Sequence, residues 1–195
     1  MSQSQQKRLM FGVRVAVIGV TAALLVLGLS GIFSKGVSVN AQGSSIFAQL
    51  SSLETQQPSS TSPKLMNFDQ RDGLSGMGFD PAHPSDLKVQ TTGSYFVIAA
   101  GQVGKTSAGA ADDYVDIWIK VNGIDVGNSN TRQAIGSASF TAVLVSQGVL
   151  LLNAGDVIQV AYSVSDTGQG LGIIATEPAG EAAIPSVILS AFRMQ

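Results

Sequence analysis

The chain contains no cysteine. Disulfides, zinc thiolates and thiol nucleophiles are therefore excluded, and stability must come from packing and assembly. Charge is scarce as well. Asp, Glu, Lys and Arg make up 12% of the 195 residues, about half of the ~25% usual in globular chains, and so sparse a charge implies that much of the surface is hidden, in a bilayer or against partners. The single histidine, His83, sits in Pro81-Ala82-His83-Pro84 with no serine or cysteine nucleophile in a recognisable motif beside it. It reads as a surface-loop residue rather than a member of a catalytic triad, and no other motif resembles an enzyme's. No acidic residue precedes Glu54. Beyond residue 35, seven basic side chains stand against 13 acidic ones, a formal −6 with no basic stripe, which makes nucleic acid a poor partner.

What the sequence does have comes in three blocks. Residues 1–35 hold Lys7, Arg8 and Arg14 ahead of an uncharged apolar stretch, 15–33. That stretch reads as a hydrophobic helix of about the ~20 residues that a hydrocarbon core requires, with its basic flank favouring a cytoplasmic N-terminus. Two readings stay open: an uncleaved signal anchor, since the stretch exceeds the ~7–15 residues usual for a signal peptide, or a signal peptide cut after Ala41 in Val39-Asn40-Ala41. A third is a helix packed inside a virion or filament. The first two place the rest of the chain outside the cell, on its surface or secreted. Gly19-x-x-x-Ala23 is small-residue spacing that a lipid-facing helix also supplies.

Residues 36–63 form a Ser/Gln-rich stalk or linker ending in Pro58-Ser59-Ser60-Thr61-Ser62-Pro63, too polar to fold alone. Within it Ile46, Leu50 and Leu53 are spaced four and three apart, as on a coiled-coil seam, although one heptad is too short to stand by itself.

Residues 64–195 read as an all-β module, an antiparallel two-sheet jelly-roll sandwich. The 22 glycines of the whole chain suit many short strands joined by turns. In Tyr114–Val121 the side chains of Val115, Ile117, Ile119 and Val121 share one face and Tyr114, Asp116, Trp118 and Lys120 the other, the period of a half-buried strand. Asn122-Gly123 then predicts a tight hairpin, because both central positions need positive φ. Gly155-Asp156 turns into a second alternating strand, 157–164. Further strands are expected at 64–68, 87–90, 94–103, 137–145, 149–152, 171–176 and 186–194, with a Gly/Asp/Pro-rich loop over 69–86. The 94–103 strand is apolar on both faces and should be covered on both. No 3.6-residue period separates the strands, which argues against βαβ units and for two antiparallel sheets.

The order of these features resembles the C1q/tumour necrosis factor-like jelly-roll domain, as a divergent microbial or viral relative. The matching pieces are Asn67-Phe68-Asp69, Gly93-Ser94-Tyr95, Lys120-Val121-Asn122-Gly123, Leu152-Asn153-Ala154-Gly155-Asp156-Val157-Ile158-Gln159-Val160 and Leu189-Ser190-Ala191-Phe192. The chain departs from the pattern at Val97 and Ala99, where the family often has aromatics, and no collagen tract precedes the head. The resemblance implies a homotrimer with aromatic and aliphatic residues from three chains buried around an axis. The low charge and the two-sided apolar strands agree with buried intersubunit surfaces. Tyr95, Phe96, Trp118, Tyr162 and Phe192 are the candidates for core or trimer interface, with Trp118, flanked on its face by Asp116 and Lys120, expected at a partly exposed or intersubunit position.

Asp112, Asp113 and Asp116 cluster before a strand. Oxygen-rich loops suit calcium, and some C1q-like heads bind it near the trimer top; a solvated acidic loop is the plainer reading. Asp69-Gln70-Arg71-Asp72-Gly73 reads as a turn. Glu177 and Glu181 could serve as a carboxylate pair for sugar chemistry but also suit a solvated loop. Gly168-x-Gly170-x-Gly172 lacks the following helix and Lys-Ser/Thr of a phosphate loop. The expected function is therefore an exported, trimeric head for surface display and binding of a protein or glycan partner; the alternative is a structural subunit of an extracellular filament, appendage or virion.

Overall fold

A computed structural model describes residues 45–108 and 112–194. The expected signal anchor or signal peptide, and the cleavage point after Ala41, lie outside the described residues. Among the described residues no helix is long and apolar enough to cross a membrane.

The described chain is all-β. Its strands are β1 (Phe47–Ser52), β2 (Lys64–Leu65), β3 (Gln70–Ser75), β4 (Met77–Phe79), β5 (Leu87–Val89), β6 (Gly93–Lys105), β7 (Tyr114–Val121), β8 (Ile124–Asp125), β9 (Thr131–Ala134), β10 (Thr141–Leu152), β11 (Val157–Val164), β12 (Leu171–Ile173) and β13 (Val187–Arg193). They form two sheets. The first runs β10-β6-β13-β1-β3, with β12 also paired to β6; the second runs β4-β5-β11-β7-β8, with β2 beside β11 and β9 beside β7. The pairings between these strands are antiparallel, as a two-sheet jelly roll requires.

Period-two alternation builds the core. From the first sheet come Leu50, Tyr95, Val97, Ala99, Leu189 and Ala191; from the second come Val115, Ile117, Ile119, Ile158 and Val160, and all are buried in one cluster. Each large aliphatic side chain taken from water contributes about 1.5–3 kcal/mol. The two turns expected from sequence are present. Asn122 and Gly123 have φ of 53° and 77°, the left-handed pair that a type I′ hairpin needs, and Gly155 has φ of 100°. These turns are also tied together: Asn122 Nδ2 donates to Asp156 Oδ1 at 2.8 Å and Val157 N donates to Asn122 Oδ1 at 2.8 Å. The backbone N–H of Asn153 and the Asn122 amide hold the Asp156 carboxyl below the usual carboxylate range.

The structure corrects the boundary of the head. Part of the segment read as a stalk, 36–63, is built into the sandwich: β1 pairs with β13 from Phe47↔Phe192 to Ser52↔Val187, and with β3 on its other edge. The Ile46–Leu50 spacing therefore serves a strand and not a coiled-coil seam. The chain beyond β1 is pinned as well. Leu53 N donates to Asp69 Oδ1 at 3.1 Å, Gln56 and Asn67 exchange hydrogen bonds, and Gln56 N donates to Ile173 O at 2.8 Å. Gly172 lies under this crossing, and a Cβ there would collide with the Gln56 carbonyl. That accounts for one glycine of the 168–172 motif without a phosphate.

Other expectations shift in detail. The 69–86 loop contains β3 and β4, the strands expected at 137–145 and 149–152 are one continuous β10, and β9 was not anticipated. Short polar strands such as Thr131–Ala134 carry no apolar alternation of their own; pairing with β7 makes them strands.

Candidate functional site

The outer face of the first sheet carries the feature most in need of explanation. Residues directly opposite in antiparallel strands share a face, and the register places Phe47, Phe192, Phe96 and Val149 in one row across β1, β13, β6 and β10. A second row contains Ile188, Ala100 and Val145. Between them lies a polar row of Gln49, Ser190 and Gln147, interrupted by Ile98. Alternate residues of β10 point out from the core: Val143 is 66% exposed, Val149 63% and Leu151 84%. Phe192 is 45% exposed on β13, and Phe96 is half-buried. Exposed apolar rows of this kind are candidates for an interaction surface.

Of the five large candidate side chains, only Phe96 and Phe192 lie on this face. Tyr95 is fully buried between the sheets; its hydroxyl donates to Thr91 O at 2.6 Å, and burial pushes the phenol up. Tyr162 also belongs to the core, and burial raises its phenol likewise. Trp118 faces outward from the second sheet but is 8% exposed, because its indole N–H donates to Asp125 Oδ1 at 2.7 Å on the returning β8 hairpin. It is covered within its own chain, where the sequence suggested a partly exposed or intersubunit position. The outward residues of β10 escaped notice in the sequence. The signal was there: no charged side chain occurs from Gln133 to Gly155.

The aspartates point elsewhere. Asp113 Oδ2 accepts from Lys105 Nζ at 2.8 Å, with both side chains buried, and this pair joins the end of β6 to the start of β7 across the sheets. Asp116 accepts two hydrogen bonds from Arg132, each 2.8 Å, and the Arg132 guanidinium stacks 3.7 Å over the Tyr114 ring. Asp116 beside it raises the guanidinium's already high pKa. Asp112 is exposed. Two of the three carboxylates thus already meet a cation of their own chain, and among the described residues no group of three or more His, Asp or Glu is placed to hold a metal ion. Glu177 and Glu181 are both exposed on a turn closed by Glu181 N to Pro178 O at 3.3 Å.

The two sheets, their strand order and this edge-to-edge register define the C1q/tumour necrosis factor-like jelly-roll fold. The chain is similar to the globular domain of zebrafish complement 1qA protein, with 13% identity over 77% of this chain and 98% of that one and a TM-score of 0.52. It is also similar to murine APRIL in its crystal structure at pH 5.0, with 14% identity over 77% of this chain and 99% of that one and a TM-score of 0.49. No protein-family model and no curated protein matches the sequence.

Proposed function

We propose that this chain is exported and that its jelly roll assembles as a homotrimer through the outer face of the first sheet, forming a non-catalytic head that displays itself on a surface and binds a protein or glycan partner. Residues 15–33 tether it to a membrane, or the head is released by cleavage near Ala41. The observation that carries this reading is the apolar row of Phe47, Phe192, Phe96 and Val149, with Leu151 and Val143 beside it. Two further copies of the chain are the natural cover, because the fold resembles heads that assemble in threes and because β10 is an edge strand of the sheet. An uncharged apolar edge left open invites uncontrolled pairing, and closure around a threefold axis removes it. Three identical heads on one axis then present three equivalent binding faces, which raises avidity without a strong single contact.

Sedimentation of the native full-length protein in detergent tests this. The expected result is a species of three chains of 20.1 kDa, stable on dilution. A monomer at tens of micromolar, or a ladder of ever larger species as from a filament subunit, would overturn it.

A further inference from the structure

A second surface feature lies on the other sheet. A groove of about 510 Å³ opens where β4, β5 and the start of β11 meet, lined by Phe79, Asp80, His83, Asp86, Lys88 and Val157 over the glycines Gly78 and Gly155. Its size falls within the roughly 300–1,000 Å³ of small-molecule sites. The loop that forms one wall is held by its own hydrogen bonds. Ala82 N donates to Asp80 Oδ1 at 3.0 Å, His83 N to Asp80 O at 2.8 Å and Asp86 N to His83 O at 3.0 Å, and His83 Nδ1 lies 3.3 Å from Asp80 Oδ2. Asp86 is oriented from two sides: Ser85 Oγ and Gln159 Nε2 both donate to its Oδ1, at 2.9 and 2.7 Å. Its other oxygen, Oδ2, accepts no hydrogen bond from the described residues, and among them the exposed Lys88 ammonium has no ion-pair partner.

The wall therefore offers one fixed anionic acceptor and one cationic donor, with Val157 as apolar ground between polar rims; Phe79, opposite Leu87, packs toward the core. We propose that this groove binds a neutral carbohydrate. A sugar hydroxyl both donates and accepts, so adjacent hydroxyls can satisfy Asp86 and Lys88 together, while the C–H face of the ring packs on Val157, which lies opposite Lys88. A polyanion would meet two carboxylates, and a polycation would meet Lys88. The proposal deepens the binding function above by naming the ligand class and the site. It rests on that reading only for the threefold avidity, since the groove lies on the sheet that the proposed trimer contact does not use.

The test is saturation-transfer NMR on the full-length protein in detergent, with methyl glycosides of glucose, galactose, mannose and N-acetylglucosamine and their disaccharides as probes and triglycine as the zwitterionic competitor class. At least one saccharide is expected to receive saturation. Asp86→Asn and Lys88→Met should each weaken it about tenfold or more, the effect of losing a hydrogen bond to a charged group, with melting temperature and native mass unchanged. Silence from every saccharide, transfer to triglycine alone, or saccharide binding indifferent to both substitutions would overturn the assignment. Sedimentation of the same samples separates the two readings: a trimer that binds no sugar loses only the groove, and a monomer that binds sugar loses only the trimer.

Discussion

On the outer face of the first sheet, Phe192, Val149 and Leu151 are left largely open by the described residues, and Phe96 beside them is half-buried. On the outer face of the second sheet, Asp116 holds Arg132, Trp118 and Lys120 both donate to Asp125, and Gln159 donates to Asp86. Asp125 is held below the usual carboxylate range first by the Lys120 ammonium and then by the indole N–H. The strands on both faces share one period and one pleat. What differs is whether the outward side chains find partners within the chain. The second face pairs many of its polar side chains locally, although Gln159 Oε1 is buried without a hydrogen-bond partner among the described residues. The first has apolar area that the described residues leave open, and burying such area is a non-directional driving force for association.

The sharpest way to break this contrast is to charge the first face. Replacing Val149 and Leu151 together by aspartate removes about 3–6 kcal/mol of apolar burial per chain and places carboxylates in the proposed contact. Sedimentation should show monomers, with the melting transition of the head retained because both side chains are solvent-facing within one chain. The matched change on the second face, Lys120→Gln, should leave the native mass untouched. Equal effects from the two would erase the distinction.

A second test concerns the link between the sheets. Asp113→Ala leaves the Lys105 ammonium buried against its remaining surroundings, and breaking a buried pair in this way costs about 3–5 kcal/mol. Urea unfolding should register that loss. The same truncation at Asp116, whose partner Arg132 is 59% exposed, should cost clearly less, since water can solvate the freed guanidinium. A reversed order would mean that the Lys105–Asp113 bridge is not the buried clasp it resembles.

The smallest expected effect lies at the paired turns. Asp156 has a depressed carboxyl pKa in the folded chain, so its contribution is present in full above its unfolded value and disappears as pH falls through the folded one. Thermal melts of the parent and Asp156→Ala should therefore differ near neutrality and converge in acid. A gap that stays constant with pH would assign the turn's stability to backbone geometry alone.

Much of the architecture was readable in advance because its causes are local. The Val115–Val121 alternation and the positive φ demanded at Asn122-Gly123 are properties of a few consecutive residues, and β11 begins and ends where its pattern does. β1 was misread because a spacing of four fits two repeats of a strand as well as one turn of a helix. Ile46 and Leu50 therefore satisfy both patterns, and only pairing with β13 and β3 decides between them. The candidate face was half legible: Phe96 and Phe192 were picked out as large apolar residues, but their neighbours on β10 were not. Register between strands distant in sequence brings Val149 beside Phe96 and Phe96 beside Phe192.

By itself the sequence determined the class of the fold, the positions of its tight turns and the shortage of charge that leaves an apolar surface to be placed, since these follow from side-chain period, backbone sterics and composition. Tertiary structure alone decided where that surface lies. Trp118 and Phe192 are both aromatic and both point away from the core, yet Asp125 folds back over one and the described residues leave the other 45% exposed. Whether an outward side chain is covered depends on contacts between segments far apart in the chain, and no local pattern encodes them.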